Sequence, residues 1–118
     1  MNRVVITGMG IISPIGNRID EVRDALIEGK NGIGMLTAEG TTGYKTHLAA
    51  EVRDFSAEDY VDKRQARRMD RFCQFSVGAA KMAYEDSGLQ EGDFDPYRAG
   101  VIAGSGIGGI HTFETEHT

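Results

Sequence analysis

Glycines set the strongest limits on how this chain can fold. The chain has 16 glycines among its 118 residues, close to twice the average share of about 7%. They cluster around residues 8–16, 29–43 and 100–109. In two of the clusters, glycines directly follow short apolar runs, "VVIT" and "VIA", and glycine after such a run marks a tight turn or a close backbone approach. The pattern predicts buried strands at residues 3–7 and 99–103, each ending in a glycine turn.

The segments between the glycine clusters carry helical signals. A helix is predicted at residues 19–28 and ends at Gly29; its apolar face consists of Val22, Ala25 and Leu26. A longer helix is predicted from about Lys63 to Asp86, because apolar or small residues recur there at helical spacing, namely Met69, Phe72, Cys73, Ser76, Ala80 and Ala83. Alternating strands and helices are typical of an α/β fold with a largely buried sheet. Two strands are too few for such a sheet, so the sequence looks like the front part of a larger domain.

Composition excludes several classes of protein. The formal net charge of −5 argues against a nucleic-acid-binding protein as a whole. No apolar run reaches the ~18 residues that a membrane span needs. The single cysteine, Cys73, cannot form an internal disulfide, so a cytoplasmic location is the default expectation.

The glycine loop "GSGIGG" at residues 104–109 has the letters of a dinucleotide-binding fingerprint. That mechanism also needs an acidic residue about 20 positions further on, at the end of the next strand. The sequence ends before such a strand. The other loop, "GMGIIS" at residues 8–13, lacks the third glycine, and Pro14 interrupts the start of its helix. A structural turn or pocket wall is therefore preferred over a nucleotide site.

Cysteine and histidine give no catalytic or metal-binding pattern. Cys73 is expected in the middle of the long helix, on its apolar face, where a small core residue is the simpler interpretation than a nucleophile. The three histidines, His47, His111 and His117, lack the spacing of metal ligands. We therefore expect neither a metal site nor a catalytic residue within these 118 residues.

A basic stripe is the most suggestive polar feature. Five of the 13 cations fall within nine residues: Lys63, Arg64, Arg67, Arg68 and Arg71. On a continuous helix the four arginines would share one face, at positions i, i+3, i+4 and i+7. Two interpretations stay open: a solvated face paired with acids from elsewhere, or a docking patch for an acidic or phosphorylated partner.

Three motifs, in order and at matching distances, resemble the β-ketoacyl-acyl-carrier-protein synthases, and the elongating type II condensing enzymes in particular. They are "RVVITGMGIISPIGN", "ARRMDRFCQFSVGAAKMAYEDSGL" and "GVIAGSGIGG". The resemblance implies a thiolase-like α/β fold, layered α/β/α/β/α in the full-length enzyme, of which residues 1–118 are an incomplete N-terminal part. It also implies that the nucleophilic cysteine and two catalytic histidines lie downstream, and that the 118-residue chain alone is inactive.

The resemblance implies roles for two groups of residues. Ile107 would act as a gate to the acyl pocket, with Gly106 and Gly108 beside it, and Arg64, Arg67 and Arg68 would contact the acyl carrier protein. The implied reaction is decarboxylative condensation of malonyl-carrier with an acyl primer in fatty-acid elongation. No cofactor is expected, because substrates arrive on the carrier's phosphopantetheine, and the full-length enzyme is expected to be a homodimer. Alternatives are a polyketide-type ketosynthase, a non-catalytic carrier-binding module of the same descent and, more distantly, a nucleotide-binding domain.

Overall fold

The structure, a computed structural model, describes residues 3–37 and 43–117. The chain divides into two compact units, one formed by Ile11–Phe55 and the other by Met1–Gly10 with Ser56–Thr118. Four α-helices are described: α1 (Ile19–Glu28), α2 (Lys63–Ala66), α3 (Arg71–Ser87) and α4 (Ile110–His117). Two short strands, β1 (Gly34–Met35) and β2 (Leu48–Ala49), and two 3-10 turns at Ala57–Asp59 and Pro96–Arg98 complete the elements.

The unit formed by Ile11–Phe55 is organised around α1. A tight turn precedes the helix, with backbone hydrogen bonds in both directions between Ser13 and Gly16. The side chain of Glu21, in the first turn of α1, accepts a hydrogen bond from the backbone amide of Asn17 at 2.9 Å. This bond gives a partner to a backbone N–H group just ahead of the helix, where helical partners are missing. At the other end Gly29 adopts a left-handed conformation with φ 67°, the usual helix stop. The predicted helix 19–28 and its glycine stop are confirmed.

The buried face of α1 is narrower than predicted. Val22 and Ala25 are buried, but Leu26 is 68% exposed. β1 and β2 pair antiparallel in the same unit, with Gly34 opposite Ala49 and Met35 opposite Leu48. Arg18, just before α1, donates a hydrogen bond to the Asp20 carboxylate at 3.2 Å. This bond, offset in part by desolvation, lowers the pKa of Asp20 below its ordinary value of 3.8.

The other unit is organised around α3, on which the N-terminal segment lies. Gly8 and Gly10 contact the helix backbone so closely that a Cβ at either position would collide with the carbonyl oxygen of Ala83 or Ala79. The Met9 amide also donates to the Asp86 carboxylate at 2.9 Å. The first glycine motif is therefore a helix-packing motif, which explains its glycines without a nucleotide.

The prediction of two buried strands, at residues 3–7 and 99–103, is wrong. Residues 3–7 and 99–103 do not form strands, and their apolar side chains are exposed; Val4 is 90% and Ile102 101% accessible. A strand needs hydrogen-bonded neighbours, and a strand buried on both faces also needs a layer on each side. Among the described residues no segment pairs with either run.

The predicted long helix is interrupted. α2 ends at Ala66, residues 67–70 form a turn, and α3 begins at Arg71. Gln74 stabilises the turn, since its side-chain amide donates to the carbonyls of Ala66 and Met69 at 2.9 and 3.2 Å. The C-terminal stop is as predicted, with Gly88 at φ 68°.

The break changes two sequence-based expectations. The four arginines do not share one helix face, because Arg64 belongs to α2, Arg67 and Arg68 to the turn, and Arg71 to α3. The predicted apolar face of α3 is also shifted, since Phe72, Ser76 and Ala80 are exposed. The face that packs against Gly8 and Gly10 instead consists of Ala79, Met82, Ala83 and Ser87.

Candidate functional site

The glycine loop at residues 104–109 leads directly into α4. Its first half is open: apart from the adjacent residues, no atom of the described part of the chain lies within 4 Å of the Cβ position at Gly104 or Gly106. Ile107 is 82% exposed. Gly108 has φ 77°, a left-handed conformation that favours glycine, and its Cβ position lies 3.7 Å from the ring of Phe72. The close contacts at the glycines of this loop, as far as the described residues show, lie at its C-terminal end.

The anchor is Asp70, the residue before α3. The Thr112 hydroxyl of α4 donates a hydrogen bond to Oδ1 of this carboxylate. A Cβ at Gly109 would lie against Oδ2 and 2.9 Å from Cγ of the same carboxylate, so a side chain at this position would displace the carboxylate. The Gly109 carbonyl in turn accepts from the Phe113 amide at 3.0 Å and so begins α4. One side chain thus connects the starts of two helices and the end of the glycine loop.

Sequence reasoning missed Asp70, Thr112, Gly109 and Gln74. The sequence did contain one signal: Asp70 lies just ahead of an apolar helical pattern, and an aspartate in that position is typical of a helix N-terminus. It would have placed the helix start at residue 71 and revealed the break. The contact between Asp70 and Thr112 joins positions 42 residues apart. No local sequence pattern could have predicted it.

The arginines of the basic stripe form an exposed segment. Arg64, Arg67 and Arg68 are all exposed, and none of the ion pairs found among the described residues includes them. Asp62 caps α2 by accepting from the amides of Arg64 and Gln65 at 2.9 and 3.0 Å. Arg71 is different, because its guanidinium lies 4.6 Å from the ring centroid of Phe75. We call Arg64, Arg67 and Arg68 the arginine segment.

Cys73 lies in the first turn of α3, not in the middle of a helix as predicted, because α3 begins at Arg71. It is a half-buried free thiol. His47 lies beside β2, where its carbonyl accepts a hydrogen bond from the Leu36 amide, while His111 and His117 lie near the two ends of α4. Within the described ranges no cluster of histidine, cysteine and acidic residues could hold a metal ion. None of the described helices is long and apolar enough to cross a membrane.

The family described as "Beta-ketoacyl synthase, N-terminal domain" matches residues 1–118. The chain belongs to the β-ketoacyl synthase family. The 3-oxoacyl-acyl-carrier-protein synthase 2 of Staphylococcus aureus (strain N315) is 49% identical over 115 residues, which are 98% of this chain and 28% of that protein. The enzyme of the same name from Vibrio cholerae serotype O1 is 44% identical over the same shares. This chain thus spans little more than a quarter of the length of these relatives.

Solved structures agree with the family assignment. The ishigamide ketosynthase/chain length factor is 37% identical, with a TM-score of 0.69, over 75% of this chain and 22% of that one. A type II polyketide ketosynthase, solved with its acyl-carrier protein, is 26% identical with a TM-score of 0.57, over 78% of this chain and 24% of that one. The predicted thiolase-like α/β fold class is confirmed by these neighbours, with the chain as a partial N-terminal domain.

Proposed function

We propose that this β-ketoacyl synthase chain is the N-terminal part of a 3-oxoacyl-acyl-carrier-protein synthase that elongates fatty acids. The reaction is decarboxylative condensation of malonyl-carrier with an acyl primer. The observation that carries the proposal is the 44–49% identity to synthases of that name over 98% of the chain. The structural neighbours include a polyketide enzyme at lower identity, so a polyketide-type ketosynthase is the second candidate.

The chain's own contribution to this activity is recognition, not bond making. The nucleophilic cysteine and the two histidines are supplied by the rest of the protein, and Cys73 is not the nucleophile. Ile107, with Gly106 and Gly108 beside it, gates the acyl pocket. This role is supported by the open surroundings of Gly106 and the exposure of Ile107, which leave the side chain free to move.

The arginine segment docks the acyl carrier protein. Acyl carrier proteins are small and strongly acidic, and an enzyme chain with a net charge of −5 would repel them without a local positive surface. The exposure of Arg64, Arg67 and Arg68 and their freedom from ion pairs with the other described residues favour this role. A related ketosynthase was solved in complex with its carrier.

The remaining expectations follow from the same proposal. No cofactor is needed, because the phosphopantetheine of the carrier brings both substrates as thioesters. The full-length synthase is a homodimer in the cytoplasm. Light scattering of the purified full-length protein measures its oligomeric state directly, and a monomer under all conditions would contradict that part of the proposal.

Product formation tests the function. The full-length wild-type protein, given acyl-carrier and malonyl-carrier, should form the 3-oxoacyl product and release carbon dioxide. The 118-residue chain alone should form none. Cys73→Ser in the full-length protein should retain activity, because the serine preserves size in a half-buried position. Condensation by the isolated chain that depends on Cys73 would overturn the proposal, and preferential use of polyketide intermediates would favour the second candidate.

A further inference from the structure

Asp70 occupies a helix-capping position without capping its own helix. It precedes α3 with an extended conformation, φ −60° and ψ 155°, yet its side chain accepts no hydrogen bond from the α3 amides. An aspartate at this position usually accepts from the second or third amide of the helix that follows. Here the carboxylate turns to Thr112 of α4 instead, so the α3 N-terminus gives up a local stabilising bond for a contact between helices.

The same carboxylate fixes the end of the glycine loop. It lies against the Gly109 backbone, and two residues further along α3 the Phe72 ring lies 3.7 Å from the Cβ position of Gly108. Residues 108–112 are therefore held by the start of α3, while Gly104 and Gly106 have open space around them. Ile107 is the last residue of the open part. The direction in which its side chain leaves the loop depends on the anchored Gly108.

We infer that Asp70 is a positioning residue for Ile107, acting through Thr112 and Gly109, and that it sets how strictly the acyl pocket discriminates between primer lengths. This inference rests on the proposed gating role of Ile107. Asp70 takes no part in the chemistry; it limits the conformations of the loop by a hydrogen bond to a charged acceptor, which is stronger than one between neutral groups. Loosening the anchor widens the range of positions that Ile107 samples.

Acyl-chain selectivity in the full-length synthase tests the inference. Asp70→Ala and Thr112→Val each remove one partner of the hydrogen bond, and Thr112→Ser keeps the hydroxyl. The primer and the malonyl donor are both supplied as small thioesters, so that carrier docking does not enter the measurement. In Asp70→Ala and Thr112→Val, the ratio of kcat/KM for long primers to kcat/KM for short primers should move from its wild-type value toward one by up to about tenfold. A tenfold change corresponds to the free energy of one charge-assisted hydrogen bond. The double variant should change the ratio no further than either single variant.

Two comparisons separate positioning from a general structural effect. Thr112→Ser should keep the wild-type ratio. Thr115→Val is the matched control, because the Thr115 hydroxyl donates to the His111 carbonyl of its own helix, at 2.8 Å. Hydrogen exchange at the amides of residues 104–109 should accelerate in Thr112→Val and not in Thr115→Val. These exchange rates do not depend on activity.

Each outcome has a distinct meaning. An unchanged ratio, with long and short primers slowed equally, would make Asp70 a purely structural residue and overturn the inference. Additive effects in the double variant would also overturn it. A wild-type protein that condenses no primer at all would instead refute the proposed function, whatever the exchange rates show.

Discussion

Gly10 illustrates how one missing side chain can determine packing. A Cβ there would lie 2.8 Å from both the Ala83 nitrogen and the Met82 Cβ, and closer still to the Ala79 carbonyl oxygen. These neighbours belong to the α3 backbone or lie next to it, so they cannot rotate away. The N-terminal segment can approach α3 only because the residue is glycine.

Gly10→Ala should lower the free energy of unfolding by about 1–3 kcal/mol, the usual cost of overpacking. The matched control is Gly100→Ala, since among the described residues only its chain neighbours come within 4 Å of that Cβ position and the backbone does not have a positive φ. That control should stay within about 0.5 kcal/mol of the wild type. Urea unfolding of the full-length synthase, followed by circular dichroism of its helices, measures both. Equal stability of the two variants would show that the close approach of Gly10 contributes nothing.

Ile107 is the residue on which primer length should depend. Ile107→Phe and Ile107→Met in the full-length synthase should slow long acyl primers and spare short ones, because bulk at a gate blocks the deeper part of a channel. Ile27→Phe is the control, since Ile27 is an exposed isoleucine of α1. Steady-state rates over a series of primers give the profile. A profile unchanged in both Ile107 variants would leave this side chain without a gating role.

The turn between α2 and α3 determines how the arginine segment is presented. A continuous helix would have aligned Arg64, Arg67, Arg68 and Arg71 and made them repel along one face. The hydrogen bonds from the Gln74 side chain to the carbonyls of Ala66 and Met69 stabilise the break between α2 and α3. Arg71 does not align with the other three arginines, and its guanidinium lies over the ring of Phe75. Arg67 and Arg68 thus belong to an exposed turn, where their guanidinium groups are accessible to a partner.

Reversing Arg67 and Arg68 to Glu in the full-length synthase should raise the KM for carrier-bound substrates, mainly through slower association. The penalty should shrink as salt rises, because the lost attraction is itself screened. Small thioesters, which need no docking, should react nearly as before. Steady-state kinetics with both substrate types at several salt concentrations provide the measurement.

The control for this reversal is the pair Arg23→Glu and Arg98→Glu, which changes the net charge by the same amount at exposed positions outside the arginine segment. The pair should leave the carrier KM close to the wild-type value. An equal rise in both double variants would mean that total charge, not the arginine segment, governs carrier binding. Equal losses with carrier-bound and small thioesters would mean that the segment supports folding.

The surface of the chain is large for its mass. Its accessible area is 10093 Å², whereas a folded monomer of 12.8 kDa would expose about 6,300 Å². Among the described residues, the buried hydrophobic side chains are those of Val22, Ala25, Ala57 and Ala66. Apolar runs at residues 3–7 and 99–103 account for some of the exposed surface. Exposed apolar surface of this kind favours association with another protein chain.

The isolated 118-residue chain should therefore associate with itself, or with the remainder of a full-length synthase supplied separately. Sedimentation velocity over a range of concentrations measures the self-association. Val101→Lys with Ile102→Lys should weaken it by placing charge on an exposed apolar segment. Gln90→Lys with Glu91→Lys, in an exposed polar turn, should leave it largely unchanged. A monodisperse monomer with one cooperative unfolding transition would contradict this expectation and favour an independent module.

Local sequence was enough to predict the features that depend on neighbouring residues. The bounds of α1, the left-handed glycines that end α1 and α3, and the family-defining motifs all follow from residues close together in the chain. Capping and left-handed glycine act within one or two turns, so a short window of sequence contains their cause. The roles of the arginine segment and of Ile107 stay predictions.

The features that differ from the predictions depend on contacts that the hydrophobic pattern does not contain. The runs at 3–7 and 99–103 have strong β propensity, but propensity cannot supply the neighbouring strands that a ladder requires. The helical pattern over residues 63–86 did not reveal the break, because Gln74 makes the turn favourable through side-chain bonds to carbonyls five and eight residues earlier. The anchoring of the glycine loop depends on Asp70 and Thr112, 42 residues apart. Such a pair forms only after both helices are in place, so tertiary packing is its physical cause.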